Sequence, residues 1–181
     1  MLEEFYGRNG ITLPDGCAEI PDQISSVQGG TLLLAARGVD LQGRSIWFSL
    51  VSGKDRVLID WESTVGYGEM PWNDFVTNRP TKEVLMRVYL LRFIDEKNQS
   101  KKEAPFFYRI MDKSKSSSVI AAPVRGSEVE KSLASLIPAR KSHPVTVRLR
   151  FVEGEAFAEI TEIIHDLWVD LDRVEAIRKE E

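Results

Sequence analysis

The sequence contains one cysteine, Cys17, so it can form no intrachain disulfide and supplies no cysteine-rich zinc site. It also contains no run of about 18 apolar residues, the length that a transmembrane helix needs. A strong excess of positive charge is missing too, because residues 80–169 hold 15 basic and 12 acidic residues. That balance does not indicate a nucleic-acid binder. With 43% apolar residues, the chain has enough material for an ordinary packed core.

The beginning of the chain has neither the basic region nor the apolar stretch of a secretory signal. Residues 2–6 resemble the last turns of a helix, and residues 7–10, Gly-Arg-Asn-Gly, form its stop signal. We therefore expect an N-terminal helix entered midway. On this interpretation the chain is part of a longer protein that carries a membrane anchor or an export signal ahead of it, and its compartment stays open.

Turn residues divide the first half into short extended segments. Residues 10–30 are rich in Gly, Pro, Asp and Ser, and they are predicted to form an irregular connection. Residues 31–38, 44–52 and 56–63 are predicted to form an antiparallel meander of three strands. A short helix is expected after Pro71, since Trp72, Phe75 and Val76 fall on one helical stripe. We expect this helix to pack on the meander.

The second half has a more informative order of elements. Its predicted strands cover residues 84–94, 105–112, 119–124, 143–152 and about 156–165. A helix between the third and fourth strands begins after Ser127, with Glu130 at capping-box spacing, and ends before Pro138. Three strands, a helix and two strands resemble the OB-fold, a five-stranded barrel, over residues 82–169. The predicted class is therefore α+β.

These patterns predict three parts: residues 1–79 with the helix and meander, residues 80–169 with the OB-like barrel, and a helical tail at residues 170–181. A single α+β domain of the cystatin type, or of the type of nuclear transport factor 2, is the alternative. The segment DWESTVGYGEMPW, residues 60–72, resembles the signature of a bacterial two-part domain family of unknown function. The resemblance implies an N-terminal anchor or signal and supplies no activity.

A pair of carboxylates is the strongest feature that could serve an enzyme. Asp60 and Glu62 share one face of the predicted third strand, about 7 Å apart. Paired carboxylates at such a separation can act as acid and base if burial raises one pKa. A hydrolase or isomerase using this pair is one hypothesis. The alternative interpretation is a solvated strand face with no chemistry.

Cationic and aromatic residues of the predicted barrel support a second hypothesis, an OB-type binder of single-stranded nucleic acid or oligosaccharide. The candidate ligand contacts are Arg87, Tyr89, Phe107, Arg109, Arg148 and Arg150, with Lys97, Lys101 and Lys102 in the first loop. Glutamates of the last hairpin would repel phosphate, and for this reason we expect nucleic acid to be an unlikely partner. Another protein or another domain of the full chain is the expected partner, with no membrane contact by this part.

No metal or cofactor is expected. The two histidines, His143 and His165, lie at a strand start and a strand end, and a zinc site would need further carboxylate ligands. Because Cys17 has no histidine near it in sequence, a cysteine nucleophile is not indicated. The leading hypothesis from the sequence is a non-catalytic binding or interaction module of a larger bacterial protein.

Overall fold

The structure is a computed structural model that describes residues 17–28, 31–40, 45–52, 57–93, 106–137 and 141–169. The chain divides into two compact units, the first comprising Met1–Tyr67 with Val169–Glu181 and the second comprising Gly68–Trp168. The predicted N-terminal helix, the tail at residues 170–181 and the lysines of the first barrel loop lie outside the described residues. No helix in the described part of the chain is long and apolar enough to cross a bilayer.

The first unit contains a four-stranded antiparallel sheet in the order β1-β2-β3-β4. Its strands are β1 (Cys17–Gln28), β2 (Thr31–Asp40), β3 (Ser45–Ser52) and β4 (Val57–Asp60). The prediction of an irregular connection over residues 10–30 is wrong for residues 17–28, because pairing with β2 makes them a strand, and the rest of that segment lies outside the described residues. Pro21 lies where the register shifts, between Glu19 and Asp22. Proline has no N–H to donate, so an edge strand tolerates it at such an irregularity.

The third predicted strand is shorter than expected. It ends at Asp60, and helix α1 (Trp61–Val65) follows, so the prediction of a strand to residue 63 is wrong. The Asp60 side chain accepts hydrogen bonds from the backbone N–H of Ser63 at 3.2 Å and from its hydroxyl at 2.5 Å. Gly66 ends the helix with φ 65°, a conformation that glycine adopts freely. The hydrogen bonds of the Asp60 cap therefore begin a helix although the alternation of side chains predicts that the strand continues.

The second unit is a closed five-stranded barrel in the order β5-β6-β7-β9-β8. The strands are β5 (Val84–Phe93), β6 (Phe107–Met111), β7 (Ser118–Pro123), β8 (Ser142–Phe151) and β9 (Ala158–His165). β7 and β9 pair in parallel, and the other neighbours pair antiparallel. The α+β class and the OB-like barrel are confirmed. A closed barrel in a separate unit argues against the single-domain alternative.

Alternating apolar residues fill the barrel, as the sequence predicts. In β8, Val145, Val147 and Leu149 are fully buried, and the same period holds in β5. Helix α2 (Trp72–Asn78) adds Phe75 to this core, and helix α3 (Glu128–Leu136) adds Leu133. The short helix α2 therefore packs on the barrel, which corrects the expectation that it packs on the meander. Removing one such core side chain costs about 2 to 5 kcal/mol.

Helix α3 begins as its capping signal predicts. The Ser127 hydroxyl accepts a hydrogen bond from the backbone N–H of Glu130 at 3.1 Å. The Glu130 carboxylate in turn accepts one from the backbone N–H of Gly126 at 2.7 Å, one residue before the position that a capping box uses. Gly126 has φ 75°, which lets its N–H face the helix.

Candidate binding face of the barrel

The outward-pointing side chains of β5, β6 and β7 form one continuous surface, which we call the outer face. The register places Tyr89 opposite Met111 and Arg109 between Leu91 and Ile120. Residues that alternate with these, such as Leu90 and Ile110, are fully buried in the core. Because side chains alternate sides along a strand, the first set points away from the core.

One end of the outer face carries a cation–aromatic cluster, made of Tyr89, Lys113, Lys115 and Trp168. The rings of Tyr89 and Trp168 have centroids 4.7 Å apart and a tilt of 55°. The Lys115 ammonium lies 4.1 Å from the centroid of Tyr89, and the Lys113 ammonium lies 5.9 Å from that of Trp168. Each such contact is worth about 0.5 to 1 kcal/mol where solvent reaches it. Two cations thus converge on one aromatic pair.

Residues 166–168, which we call the strap, bring Trp168 to this cluster. The backbone carbonyls of Asp166, Leu167 and Trp168 bond side chains of β5 and β8. Their partners are the His143 ring, the Thr146 hydroxyl and the Arg87 guanidinium, at 2.7, 2.9 and 3.0 Å. The Trp168 indole N–H donates to a β5 carbonyl at 3.0 Å. Outward-pointing Arg87 and Thr146 are consequently buried, because the strap covers them.

The turn between β6 and β7 brings the two lysines. Trp72 of α2 donates its indole N–H to the Ser117 hydroxyl at 2.7 Å, which anchors the turn to the barrel unit. Lys115 has φ 54°, a left-handed conformation that is uncommon for a side chain of its size. Burial lowers the pKa of Lys113 from its ordinary value to about 8 and raises the pKa of Tyr89. The Lys113 ammonium therefore lies where solvent stabilises its charge poorly.

At its other end the outer face is apolar and aromatic. Phe107 contacts Phe157 edge-on, with ring centroids 5.8 Å apart. Arg92 pairs with the buried Tyr108 and therefore points to the core side of the sheet, where its guanidinium lies 3.9 Å from the ring centroid of the exposed Phe106. Ile120 lies beside Arg109 and is exposed as well. This end of the outer face is therefore apolar, and Arg92 does not belong to it.

The arginines of β8 have a different environment. Arg150 forms two short contacts with one carboxylate oxygen of Glu159 on β9, the neighbouring strand. Arg148 lies 3.4 Å from a carboxylate oxygen of Glu162, also on β9. Of the six strand residues expected from the sequence to contact a ligand, Tyr89, Phe107 and Arg109 lie on the outer face. Arg87, Arg148 and Arg150 have internal partners.

The carboxylate pair of the sequence analysis does not share a strand face. Asp60 caps helix α1 with its carboxylate, and Glu62 lies within that helix. The strand that was expected to present both side chains ends between them. Geometry in the first unit therefore gives the acid/base hypothesis no support.

Two further features bear on whether the described residues hold a metal or a small ligand. Among the described residues, no group of three or more His, Cys, Asp or Glu side chains could hold a metal ion. A depression of about 440 Å³ lies beside the β8–β9 loop, lined by Arg79, Thr81, Phe151 and residues of that loop. The Arg79 guanidinium there stacks on Phe151 at 4.4 Å and donates to the Glu155 carbonyl at 2.6 Å. The Arg79 guanidinium therefore already has partners within the protein.

Sequence reasoning missed three residues of the cation–aromatic cluster: Lys113, Lys115 and Trp168. The two lysines belong to the segment Lys-Ser-Lys-Ser-Ser-Ser, which is typical of a solvated turn. Trp168 follows the last strand directly, and its separation from Tyr89 by 79 positions hides their contact. The signal available in the sequence is the alternation of Lys and Ser in the turn that follows β6.

Among known proteins, no family model and no curated sequence matches this chain, so its function has to be inferred from the site itself.

Proposed function

We propose that the protein is a non-catalytic binding module whose ligand is a single-stranded nucleic acid, bound along the outer face of the barrel. The observation that carries this proposal is the convergence of the Lys113 and Lys115 ammoniums on the Tyr89–Trp168 pair. Proteins that bind single strands without strong sequence preference combine cations for phosphates with rings on which bases stack. The outer face offers cations and the partly exposed rings of Tyr89 and Phe107, whereas Trp168 is buried and supports Tyr89.

The dimensions of the face suit a short stretch of single strand. From Met111 back to Phe107 is four steps along β6, or about 13 Å at the rise of a strand. The cation–aromatic cluster lies at one end of this path, Arg109 lies along it, and Phe107, in contact with Phe157, lies at the other end. A few nucleotides cover such a path, in keeping with the smaller sites of OB-type barrels.

Acidic residues were the objection to nucleic acid at the level of sequence. Two of them, Glu159 and Glu162, pair with Arg150 and Arg148 on the β8–β9 side of the barrel. The described part of the outer face and its turn contains one carboxylate, Asp112, and one of its oxygens accepts the Ser114 hydroxyl. The cations of the outer face therefore lie apart from these glutamates, although the net charge of the second half is small.

The chemistry of the face favours binding over catalysis. Its described polar side chains are cations, hydroxyls and the single carboxylate Asp112, which provides no acid/base pair. Neither histidine belongs to it: His143 bonds the strap and His165 ends β9. A stacked base and a neutralised phosphate need only preformed rings and cations. The proposed module holds its ligand without transforming it.

A fluorescence anisotropy titration of the full chain with labelled oligothymidylate at low salt tests this proposal. We expect a dissociation constant below about 100 μM that weakens as salt rises. For about three phosphate contacts, the slope of log K against log salt should be near −2. Absence of binding up to that concentration overturns the proposal. Equal binding of a neutral oligosaccharide of similar length also overturns it, since phosphate would then be irrelevant.

A further inference from the structure

We infer that the module favours thymine over the other pyrimidines, because the 5-methyl group of the base packs on the apolar end of the outer face while Arg109 holds the neighbouring phosphate. This inference rests on the proposed function and adds to it the class of base that the strand carries. The apolar end consists of Phe107, Phe157 and Ile120, and Arg109 lies directly beside Ile120.

The apolar end presents hydrocarbon to solvent. Ile120 is 37% exposed, and Val124, the first residue after β7, is 46% exposed. Phe107 and Phe157 are half-buried and meet edge-on, with an angle of 78° between their ring planes. Such a contact covers a face of only one of the two rings. Exposed apolar residues that are grouped in this way, rather than scattered, are typical of a binding surface.

Arg109 supplies the charge beside this surface. Its side chain is exposed, and the strand register places it between Leu91 on β5 and Ile120 on β7. Within the described part of the chain, the Arg109 guanidinium forms no hydrogen bond or ion pair. The carboxylate of Glu159 on β9 is paired with Arg150 instead. Arg109 is therefore available to an anion, whereas Arg150 is already neutralised.

This combination of charge and hydrocarbon selects the occupant of the surface. An apolar partner would cover the Arg109 guanidinium without offering it a counter-charge, which is costly. A second copy of the chain, joined about a twofold axis through this surface, would bring two such cations together. A nucleic-acid strand supplies a phosphate for the guanidinium and an adjoining flat base for the rings. The surface therefore fits a strand better than either alternative.

The distance between Phe107 and Ile120 suits a methylated base. The two residues are diagonal neighbours on adjacent strands, because Ile120 pairs with Arg109, two positions further along β6. Diagonal neighbours are about 7 to 8 Å apart, a gap that an aromatic ring can bridge. A base that stacks on Phe107 then carries its 5-substituent towards Ile120. Burying one methyl group there favours thymine over uracil about fourfold.

The test compares three oligonucleotides of one length and one sugar with the full chain: oligothymidylate, oligodeoxyuridylate and oligodeoxycytidylate. All three carry the same phosphates, so the salt-dependent part of binding is equal for each. We expect oligothymidylate to bind about fourfold more tightly than the other two. If either of the others binds as tightly as oligothymidylate, the inference is wrong and the proposed function remains intact. Absence of binding by all three overturns the proposed function first.

Matched isoleucine variants locate the methyl group. Ile120→Thr removes apolar contact from the outer face and should bring the affinities for oligothymidylate and oligodeoxyuridylate together. The control is Ile59→Thr on β4, the same substitution at an isoleucine that is 60% exposed, which should leave the fourfold ratio unchanged. A ratio that persists in Ile120→Thr places the methyl group elsewhere and contradicts the inference. Thermal unfolding of each variant checks that the fold is intact.

A second pair of variants tests the phosphate contact. Arg109→Met should weaken the binding of each strand by the same factor and reduce the steepness of log K against log salt by about 1, because one phosphate contact is lost. Arg150→Met, the control, removes a cation that Glu159 already neutralises, so it should leave the slope unchanged. If Arg109→Met keeps the full slope, no phosphate lies beside the apolar end and the inference is wrong.

Discussion

The two sides of the barrel both carry cationic side chains, but the neighbours of these side chains differ. On the β8–β9 side, Arg148 and Arg150 face glutamates of the neighbouring strand. On the outer face of β5–β7, Lys113 and Lys115 lie over aromatic rings that leave their charge in place. Cations of the first kind hold two strands together, whereas those of the second kind contact aromatic rings.

A basic residue on a strand therefore indicates a binding surface only when its neighbours in the fold are known. The sequence does not distinguish three arginines of the barrel strands, Arg148, Arg150 and Arg109. Each alternates with apolar residues, and each adds one positive charge. In the fold, a carboxylate faces each of the first two, and an exposed isoleucine lies beside the third. The variants below change one side of the barrel at a time.

The largest effect on stability is expected at Arg87, which lies between the two sides. Replacing Arg87 by methionine leaves the buried carbonyl of Trp168 without this donor, which should cost about 2 kcal/mol. Because the strap then loosens from β5, oligonucleotide binding should weaken as well. Urea unfolding measures the first effect, and anisotropy measures the second. A loss below about 0.5 kcal/mol would show that the guanidinium is not needed to hold the strap.

The next effect concerns binding. Replacing Lys113 and Lys115 together by methionine should weaken binding of an oligonucleotide about tenfold or more. The unfolding midpoint should fall little, since the contact of the exposed Lys115 contributes about 0.5 to 1 kcal/mol and burial already disfavours the Lys113 ammonium. Anisotropy titrations at constant salt give the ratio. A variant that binds as tightly as the unmodified chain would remove the distinction between the two sides.

Raising the pH should produce a smaller effect on the same side. The pKa of Lys113 is lowered to about 8, so its charge is lost as the pH rises from 7 to 9. Binding should weaken over that interval, while the raised pKa of Tyr89 keeps the phenol neutral. Folding stability changes in the opposite sense: the unfolded chain binds more protons between about pH 8 and 10.5, so this lysine makes stability rise there. In Lys113→Met the dependence of binding on pH should disappear.

The smallest effect is expected on the β8–β9 side. Replacing Arg150 by methionine breaks a partly exposed pair with Glu159 and should cost at most about 1 kcal/mol. Oligonucleotide affinity should not fall, because this cation is already neutralised. Urea unfolding and anisotropy on the same sample test both statements. A marked loss of affinity would place part of the ligand on this side.

The barrel was predictable because its strands alternate strictly and its helix has a clear capping signal. Val145, Val147 and Leu149 are buried as their spacing predicts, and Ser127 caps α3. The first unit was less predictable. Pairing with β2 turns residues 17–28 into a strand, and the capping by Asp60 ends β4 early. Both outcomes depend on hydrogen bonds, between β1 and β2 and at the Asp60 cap, that residue composition and the alternation of apolar side chains do not reveal.

The candidate site was predictable only in part, through Tyr89 and Arg109. Lys113, Lys115 and Trp168 were missed because their contacts join a turn, a strand and the strap across long stretches of chain. By itself the sequence determined the order of elements, the alternating core and the impossibility of an internal disulfide, since these depend on residue type and spacing. Only the tertiary structure decided which cations are neutralised and which lie over rings. Strand register and the path of the strap choose each cation's neighbours, and these neighbours lie far away in sequence.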